Sequence, residues 1–390
     1  MRILIWSVNF SIGGGMRLLH NLTKALSRQP GVEHIRLVVG SQSLARNTQE
    51  LNMLRNVDVI IHDTVIDHPS ASYLLANIDV VYYYWPHTHQ YTPIDRPTLC
   101  TFHDSTFFDF VPPFSDGSQL ELHWNLSKRW LDHVTTVAVS SQHVKNRLIA
   151  HFGPRNAAAY VIPHAITPIA SNFSAQLSPA YAAALPKEYI IYPSNTSPHK
   201  NHSNLLLALA KYKHRKKHPL VLTGYLTEKL RQPFPNFRSE HSWIPTLSSI
   251  MNTNMLQIDS DVYPLGFVSD QDIPALIKNA KALIMPSLSE GGGSYPVEEA
   301  LRLGTPVLCS DIPVMREHLA RHSTKIAWFD PHSPDSIVRA LEDMNANYAS
   351  YKQSAMLGIH DPTETWDDIA RKYVAVMRDT YYRYYARHIY

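Results

Sequence analysis

Short, nearly continuous apolar runs alternate along this chain with segments whose apolar positions recur every three or four residues. In the first half the runs fall at residues 2–8, 34–39, 57–61, 79–84, 98–102 and 134–139. Runs apolar on both faces predict strands of a covered, parallel sheet rather than of a half-exposed one. Between the first two, Gly13-Gly-Gly15 precedes a helical pattern from about Met16 to Ser27, giving a strand–turn–helix–strand unit. A further strand-like piece at 160–163 follows a helix that starts near Ser140-Ser141. A stretch rich in Pro, Ser and Asn from Thr167 to Pro179 then reads as a linker. A second series follows, with runs at 189–192, 220–223, 262–267, 282–285, 306–309 and 325–329. Helical patterns separate these, notably at 204–212, 272–280 and 297–303. The whole predicts an α/β protein of two doubly wound, Rossmann-like domains.

Size and composition agree with that picture. A chain of 390 residues is long enough for two cores, and 44% hydrophobic against 18% charged residues describes a globular protein. No apolar run approaches the roughly 20 residues needed to span a bilayer. The start, Met1-Arg-Ile-Leu-Ile-Trp-Ser-Val, has the wrong flanks for a signal peptide and reads as a buried strand. The expected location is therefore cytoplasmic. Cys100 and Cys309 lie far apart in strand-like runs, which predicts buried free thiols in a reducing compartment. A net charge of +3 gives no bulk attraction for nucleic acid. The segment Tyr381-Tyr-Arg-Tyr-Tyr-Ala-Arg-His-Ile-Tyr390 mixes aromatics with arginines, which suits either a packed helix or peripheral contact with a membrane interface.

Ligands of open parallel sheets sit beyond the carboxyl ends of the strands, so the residues just after each run are the candidates. One such stretch carries most of the chemistry. It reads Ser287-Leu-Ser-Glu290-Gly-Gly-Gly-Ser-Tyr-Pro-Val-Glu298-Glu299-Ala300. Consecutive glycines let backbone approach a ligand closely, and a helix start after them aims N–H groups at an anion. Two carboxylates in the same unit can grip polyol hydroxyls. Gly13-Gly-Gly15 with Arg17 is either a tight turn or a second place where backbone reaches a phosphate or sugar. His103, with Asp104 beside it, follows a strand and can exchange one hydrogen bond with a sugar hydroxyl near pH 7. His87 and His89 are weaker candidates for the acceptor side. Lys200, in Pro193-Ser-Asn-Thr-Ser-Pro-His-Lys-Asn201, is either a solvated loop lysine or a point cation for a diphosphate. The triplets Asp259-Ser-Asp261 and Asp270-Gln-Asp272 could hold a divalent ion. The first lies at the amino end of its strand, though, and in the second Ser269 or Asp270 fits better as the N-cap of the next helix. No metal and no cofactor are expected.

With these positions assembled, the chain resembles the retaining nucleotide-sugar transferases of glycosyltransferase family 4, which have the GT-B architecture of two Rossmann-like domains facing an inter-domain cleft. Glu290 and Glu298 match the family's E-x7-E signature, and Gly304-Thr-Pro-Val follows as is usual. The amino-terminal glycine loop, His103, Ser140-Ser141, Ile162-Pro163-His164 and Pro198-His-Lys-Asn201 match further. The resemblance implies an acceptor domain, 1–165, completed by a terminal helix at about 366–390, and a donor domain, 176–365. It implies His103, Glu290 and Lys200 as catalytic residues, with Glu290 on the donor sugar and His103 near the reacting carbon. Glu298 would hold the ribose. Gly292, Gly293, Ser294 and Tyr295 would meet the diphosphate or sugar, Phe267 and Val268 would border the base, and Gly14, Gly15, Ser194 and Asn195 would complete the donor site. Arg17, Asp104 and His87 would face the acceptor.

The implied partners are a nucleotide diphosphate sugar, with GDP-mannose first, and a glycan or polyprenol-linked saccharide. The alternative is a nucleotide-sugar-binding protein of another class, an epimerase or a non-catalytic binder. Three departures stand out. Ser194-Asn195-Thr196 lacks the arginine common in this loop, Gly292 replaces an aromatic, and Pro163-His-Ala replaces Pro-Asn-Gly.

Overall fold

The computed structural model describes residues 1–8, 14–63, 65–86, 90–111, 117–166, 173–232 and 244–387. Two compact units divide the chain: Met1–Thr167 together with Thr363–Tyr390, and Pro168–Pro362.

Among the described residues of the first unit, the seven parallel strands are β1 (Arg2–Ser7), β2 (His34–Val39), β3 (Val57–Ile61), β4 (Val80–Tyr83), β5 (Thr98–Phe102), β6 (Thr136–Val139) and β7 (Tyr160–Val161). Their order is β3-β2-β1-β4-β5-β6-β7. The second unit has β8 (Ile190–Pro193), β9 (Leu220–Thr223), β10 (Val262–Pro264), β11 (Ala282–Met285), β12 (Val307–Ser310) and β13 (Ala327–Phe329), in the order β10-β9-β8-β11-β12-β13 and again parallel. Central strands such as β4, β5, β8 and β11 are buried at every position, as their continuous apolar runs require. Cys100 and Cys309 are buried and free within two of the strands.

Differences from the sequence expectation have local causes. The run at 134–139 starts as a strand only at Thr136, because a helix at Ser118–His133 ends with the Val134 N–H donating to Trp130 O. That helix was not legible, being polar over most of its length and burying only Ser127, Trp130 and Leu131. The run at 262–267 stops at Pro264, and Gly266 with φ of +75° turns the chain. Asp272 immediately precedes the helix Ile273–Asn279, but the capping bonds come from Ser269, as expected: its Oγ accepts from Asp272 N at 3.2 Å and donates to the Asp272 carboxylate at 2.8 Å, and its carbonyl accepts from Ile273 N at 3.1 Å.

The terminal helix Trp366–Arg387 packs on the first unit. Ile369, Ala370, Tyr373, Val374 and Met377 form its buried stripe. Tyr373 OH lies 3.2 Å from Thr101 Oγ1 on β5, and Arg28 closes an ion pair of 2.7 Å with Asp367. Its outer face leaves Tyr382 and Tyr385 exposed. No helix among the described residues is long and apolar enough to cross a membrane.

Candidate active site

Each strand order reverses direction at one place, and the loops leaving the strands on either side of it form a natural crevice. In the second sheet the reversal lies between β8 and β11. The loop after β8 carries Lys200, and the loop after β11 carries Glu290. Lys200 Nζ meets Glu290 Oε1 at 2.6 Å, so the two side chains join across the switch point. The backbone supports this junction. Leu288 N donates to His199 O at 2.8 Å, and Asn201 Nδ2 donates to Pro286 O at 2.8 Å and to Pro331 O at 2.7 Å. Burial, the Lys200 charge and His202 push His199 down to about 3, and burial with Lys200 does the same to His202. Both rings are neutral at pH 7, so Lys200 carries the positive charge among the three.

The chain next to Glu290 turns through Gly293, whose φ of +117° favours glycine. A Cβ there would come within 2.3 Å of the His318 ring, so a side chain at 293 would displace that histidine. The helix Tyr295–Leu303 then begins, with Pro296 in its first turn and Ser294 at the N-cap. Ser294 makes no side-chain capping bond, and its buried Oγ has no hydrogen-bond partner. One turn on, Glu298 is 1% exposed. Its Oε1 lies 2.7 Å from His318 Nε2, 2.7 Å from Arg321 Nη2 and 3.1 Å from His322 Nε2. Its Oε2 is buried and without a partner. Burial pushes this carboxyl up, but the hydrogen bonds and charges of His318 and His322 outweigh it and hold the group well below the usual carboxylate range. An anionic carboxylate with one oxygen saturated and the other open is an acceptor for a hydroxyl donor.

The neighbouring loops meet here too. Gly224, with φ of +129° after β9, lies so close to Ser194 that a Cβ would come within 2.2 Å of Ser194 O. Its N–H donates to Gly266 O at 2.7 Å. Asn195 Oδ1 accepts from Ser197 N at 3.1 Å. Val268 is buried, while Phe267 is 76% exposed and offers an open aromatic face. Gly292 is buried in the same loop as Glu290.

In the first sheet the reversal lies between β1 and β4. Gly14 and Gly15 open the helix Gly14–Ser27, and Tyr84 OH, just after β4, donates to Gly15 O at 2.8 Å across the switch point. Gly13 and His87 fall outside the described residues, as does His89. His103 follows β5 and is 2% exposed. Its ring stacks on Trp85 at 4.7 Å and leans on Tyr84 at 4.6 Å, and its Nδ1 lies 3.1 Å from His164 Nε2. Ser140 Oγ donates to His103 O at 2.6 Å. Asp104 Oδ1 accepts from Thr106 N at 3.2 Å and shapes the following turn. Arg17 is half-buried on the first helix.

Of the expected site residues, the structure thus gathers Lys200, Glu290, Ser294 and Glu298 at one switch point, and Gly15 and His103, through Tyr84, at the other. Sequence reasoning missed Asn201 as a loop staple, the His318–Arg321–His322 cage, and the rings of Tyr84, Trp85 and His164. His164 had a signal, as a departure from Pro-Asn-Gly, and Asn201 had one, as the last residue of the matching Pro198-His-Lys-Asn201 loop. The acidic triplet at 259–261 is already neutralised, Asp259 by Arg231 at 2.6 Å and Asp261 by Arg215 and Lys216 at 3.1 and 3.0 Å.

Comparison with known proteins follows the same lines. Residues 175–356 match the family described as glycosyl transferases group 1. The O-antigen chain mannosyltransferase B of Escherichia coli is 22% identical over 368 residues, covering 86% of this chain and 89% of that protein. Among solved structures, Anabaena HepE in complex with UDP and glucose has a TM-score of 0.68 at 16% identity, over 97% of this chain and 100% of that one. Sucrose-phosphate synthase from Thermosynechococcus elongatus also gives 0.68 at 16% identity, over 97% and 98%. The fold is the GT-B architecture, and the family match and the relative matched over 86% of the chain support a glycosyltransferase.

Proposed function

We propose that this protein is a retaining, metal-independent transferase of glycosyltransferase family 4. In this reading it moves a sugar from a nucleotide diphosphate donor to a glycan or polyprenol-linked saccharide in polysaccharide assembly. Residues 1–165 with the terminal helix would bind the acceptor, and residues 176–365 the donor. The carrying observation is the Lys200–Glu290 pair across the β8/β11 switch point, beside a helix N-terminus with two unpartnered buried acceptors, Ser294 Oγ and Glu298 Oε2. Transfer breaks the bond between the sugar carbon and the leaving phosphate oxygen and forms one to the acceptor oxygen. Positive charge grows on the sugar and negative charge on the diphosphate. A lysine and a helix N-terminus stabilise the second. Glu290 would hold sugar hydroxyls, Glu298 Oε2 would accept from the ribose, and the departing phosphate oxygen would take the acceptor proton.

GDP-mannose is the donor of choice, supported by the mannosyltransferase relative and by the Pro-His-Lys-Asn loop. The protein would act in the cytoplasm, at the membrane face where lipid-linked acceptors sit. The testing experiment is a thermal-shift screen against GDP, UDP, dTDP and ADP. Selective stabilisation by GDP is expected, about 2.7 kcal/mol at a concentration of 100 Kd. No stabilisation by any nucleotide at millimolar concentration would sink the transferase reading and the nucleotide-sugar binder alternative together.

A further inference from the structure

We propose that His164 is a positioning residue that fixes the tautomer of His103, donating its Nε2 proton to His103 Nδ1. This deepens the transferase reading, in which His103 contacts the donor sugar. The two rings lie 3.1 Å apart between His103 Nδ1 and His164 Nε2. When both rings are neutral, one of these nitrogens must hold the proton and the other the lone pair. The two arrangements are not equivalent. If His164 donates, both rings carry their proton on Nε2, the favoured form of a neutral histidine side chain. If His103 donates, both rings must carry it on Nδ1, the disfavoured form. The contact therefore selects the first arrangement twice over.

The surroundings make the selection effective. His103 is 2% exposed, stacked on Trp85 and leaning on Tyr84, so its ring plane is set by packing. Its backbone carbonyl is held by Ser140 Oγ at 2.6 Å. Tyr84 is itself fixed through its hydroxyl to Gly15 O. Packing sets the ring plane, and the contact with His164 at 3.1 Å bears on which nitrogen carries the proton. His103 then presents an N–H at Nε2, a donor for a hydroxyl oxygen rather than an acceptor. His164 lies at the carboxyl end of β7, directly after Ile162-Pro163, so a short strand delivers it to this place.

The test is nitrogen-15 NMR of the histidine rings in the ligand-free full chain, comparing wild type with His164→Gln and His164→Phe. In wild type both rings should show protonated Nε2 and a hydrogen-bonded, unprotonated Nδ1 on His103. His164→Gln keeps an N–H at similar reach and should preserve the His103 signature. His164→Phe should let His103 exchange between tautomers and average its shifts. With GDP-mannose as probe, kcat of His164→Phe should fall about ten- to a hundredfold with KM unchanged, and His164→Gln should recover most of it. A protonated Nδ1 on His103 in wild type, or a His103 signature unchanged in His164→Phe, overturns the proposal. If His164→Phe does not fold, the wild-type and His164→Gln spectra still decide. A wild type that does not turn over GDP-mannose counts against the donor assignment and leaves the spectral result standing.

Discussion

The two switch points of this molecule are built from opposite materials. Beyond β4 and β5 rings surround one histidine: His103 lies among Tyr84, Trp85 and His164, with Ser140 on its carbonyl. Beyond β8 and β11 the side chains are charged: Lys200 faces Glu290, and Glu298 sits in a cage of His318, Arg321 and His322. The difference teaches what each place can bind. Neutral rings are cheap to bury and exchange single hydrogen bonds, which suits sugar hydroxyls. Charges are costly to bury unpaired, so the second site neutralises itself while empty. In the proposed reading a diphosphate arriving there would share Lys200 with Glu290, and that exchange would free Glu290 for hydroxyl donors.

The largest effect that would break this contrast is at Glu290. Glu290→Ala should lower turnover by about 10²–10³-fold, the scale of losing one group that stabilises a transition state. Circular dichroism should show the fold intact, because Glu290, though buried, lies in a loop and its partner Lys200 keeps some exposure to water. Near-normal turnover would remove Glu290 from the chemistry and reduce the Lys200–Glu290 pair to a structural bridge.

Next in size is the cage. Glu298→Gln leaves Arg321 and the two histidines without their anion in a buried place, which typically costs about 3–5 kcal/mol. It should also raise the donor KM with less effect on kcat. The pH dependence follows from the direction of the shift. Glu298 titrates lower in the folded chain than in the unfolded one, so its stabilisation is fully present above the ordinary glutamate value of about 4.3. As pH falls below that value the stabilisation fades, and it is gone once pH passes the folded-state value. Urea denaturation at pH 7, 5 and 3 should therefore show the gap between wild type and Glu298→Gln holding from 7 to 5 and shrinking at 3. A gap that stays constant to pH 3 would mean that the cage does not hold the carboxylate ionised.

The strands were legible because burial on both faces leaves no polar alternation to obscure them; residues 98–102 and 282–285 read as strands and are strands. The placement of Glu290, Lys200 and His103 after the carboxyl ends of strands was legible because the strands themselves were. The cage was not. His318, Arg321 and His322 come from the helix Pro313–Leu319 and the turn after it, and only the fold brings them to Glu298. Nor did the spacing of Glu290 and Glu298 show that one would face a lysine across a crevice and the other three basic side chains from behind. The stacking of His103 on Trp85 likewise depends on β4 and β5 being neighbours, which is a property of strand order and not of any local motif.

The smallest effect tests whether the neutral edge is one assembly. Tyr84→Phe keeps the ring against His103 and deletes only the hydroxyl that holds Gly15 O. One hydrogen bond of this kind contributes about 1 kcal/mol, and Gly15 O, part-buried in the first turn of its helix, keeps its helical partner. Chemical denaturation should therefore lose about 1 kcal/mol. In the proposed reading the second unit holds the nucleotide, so GDP-induced stabilisation should be unchanged. If GDP binding weakened as well, the neutral edge would be part of the nucleotide site, and the division of labour between rings and charges would fail.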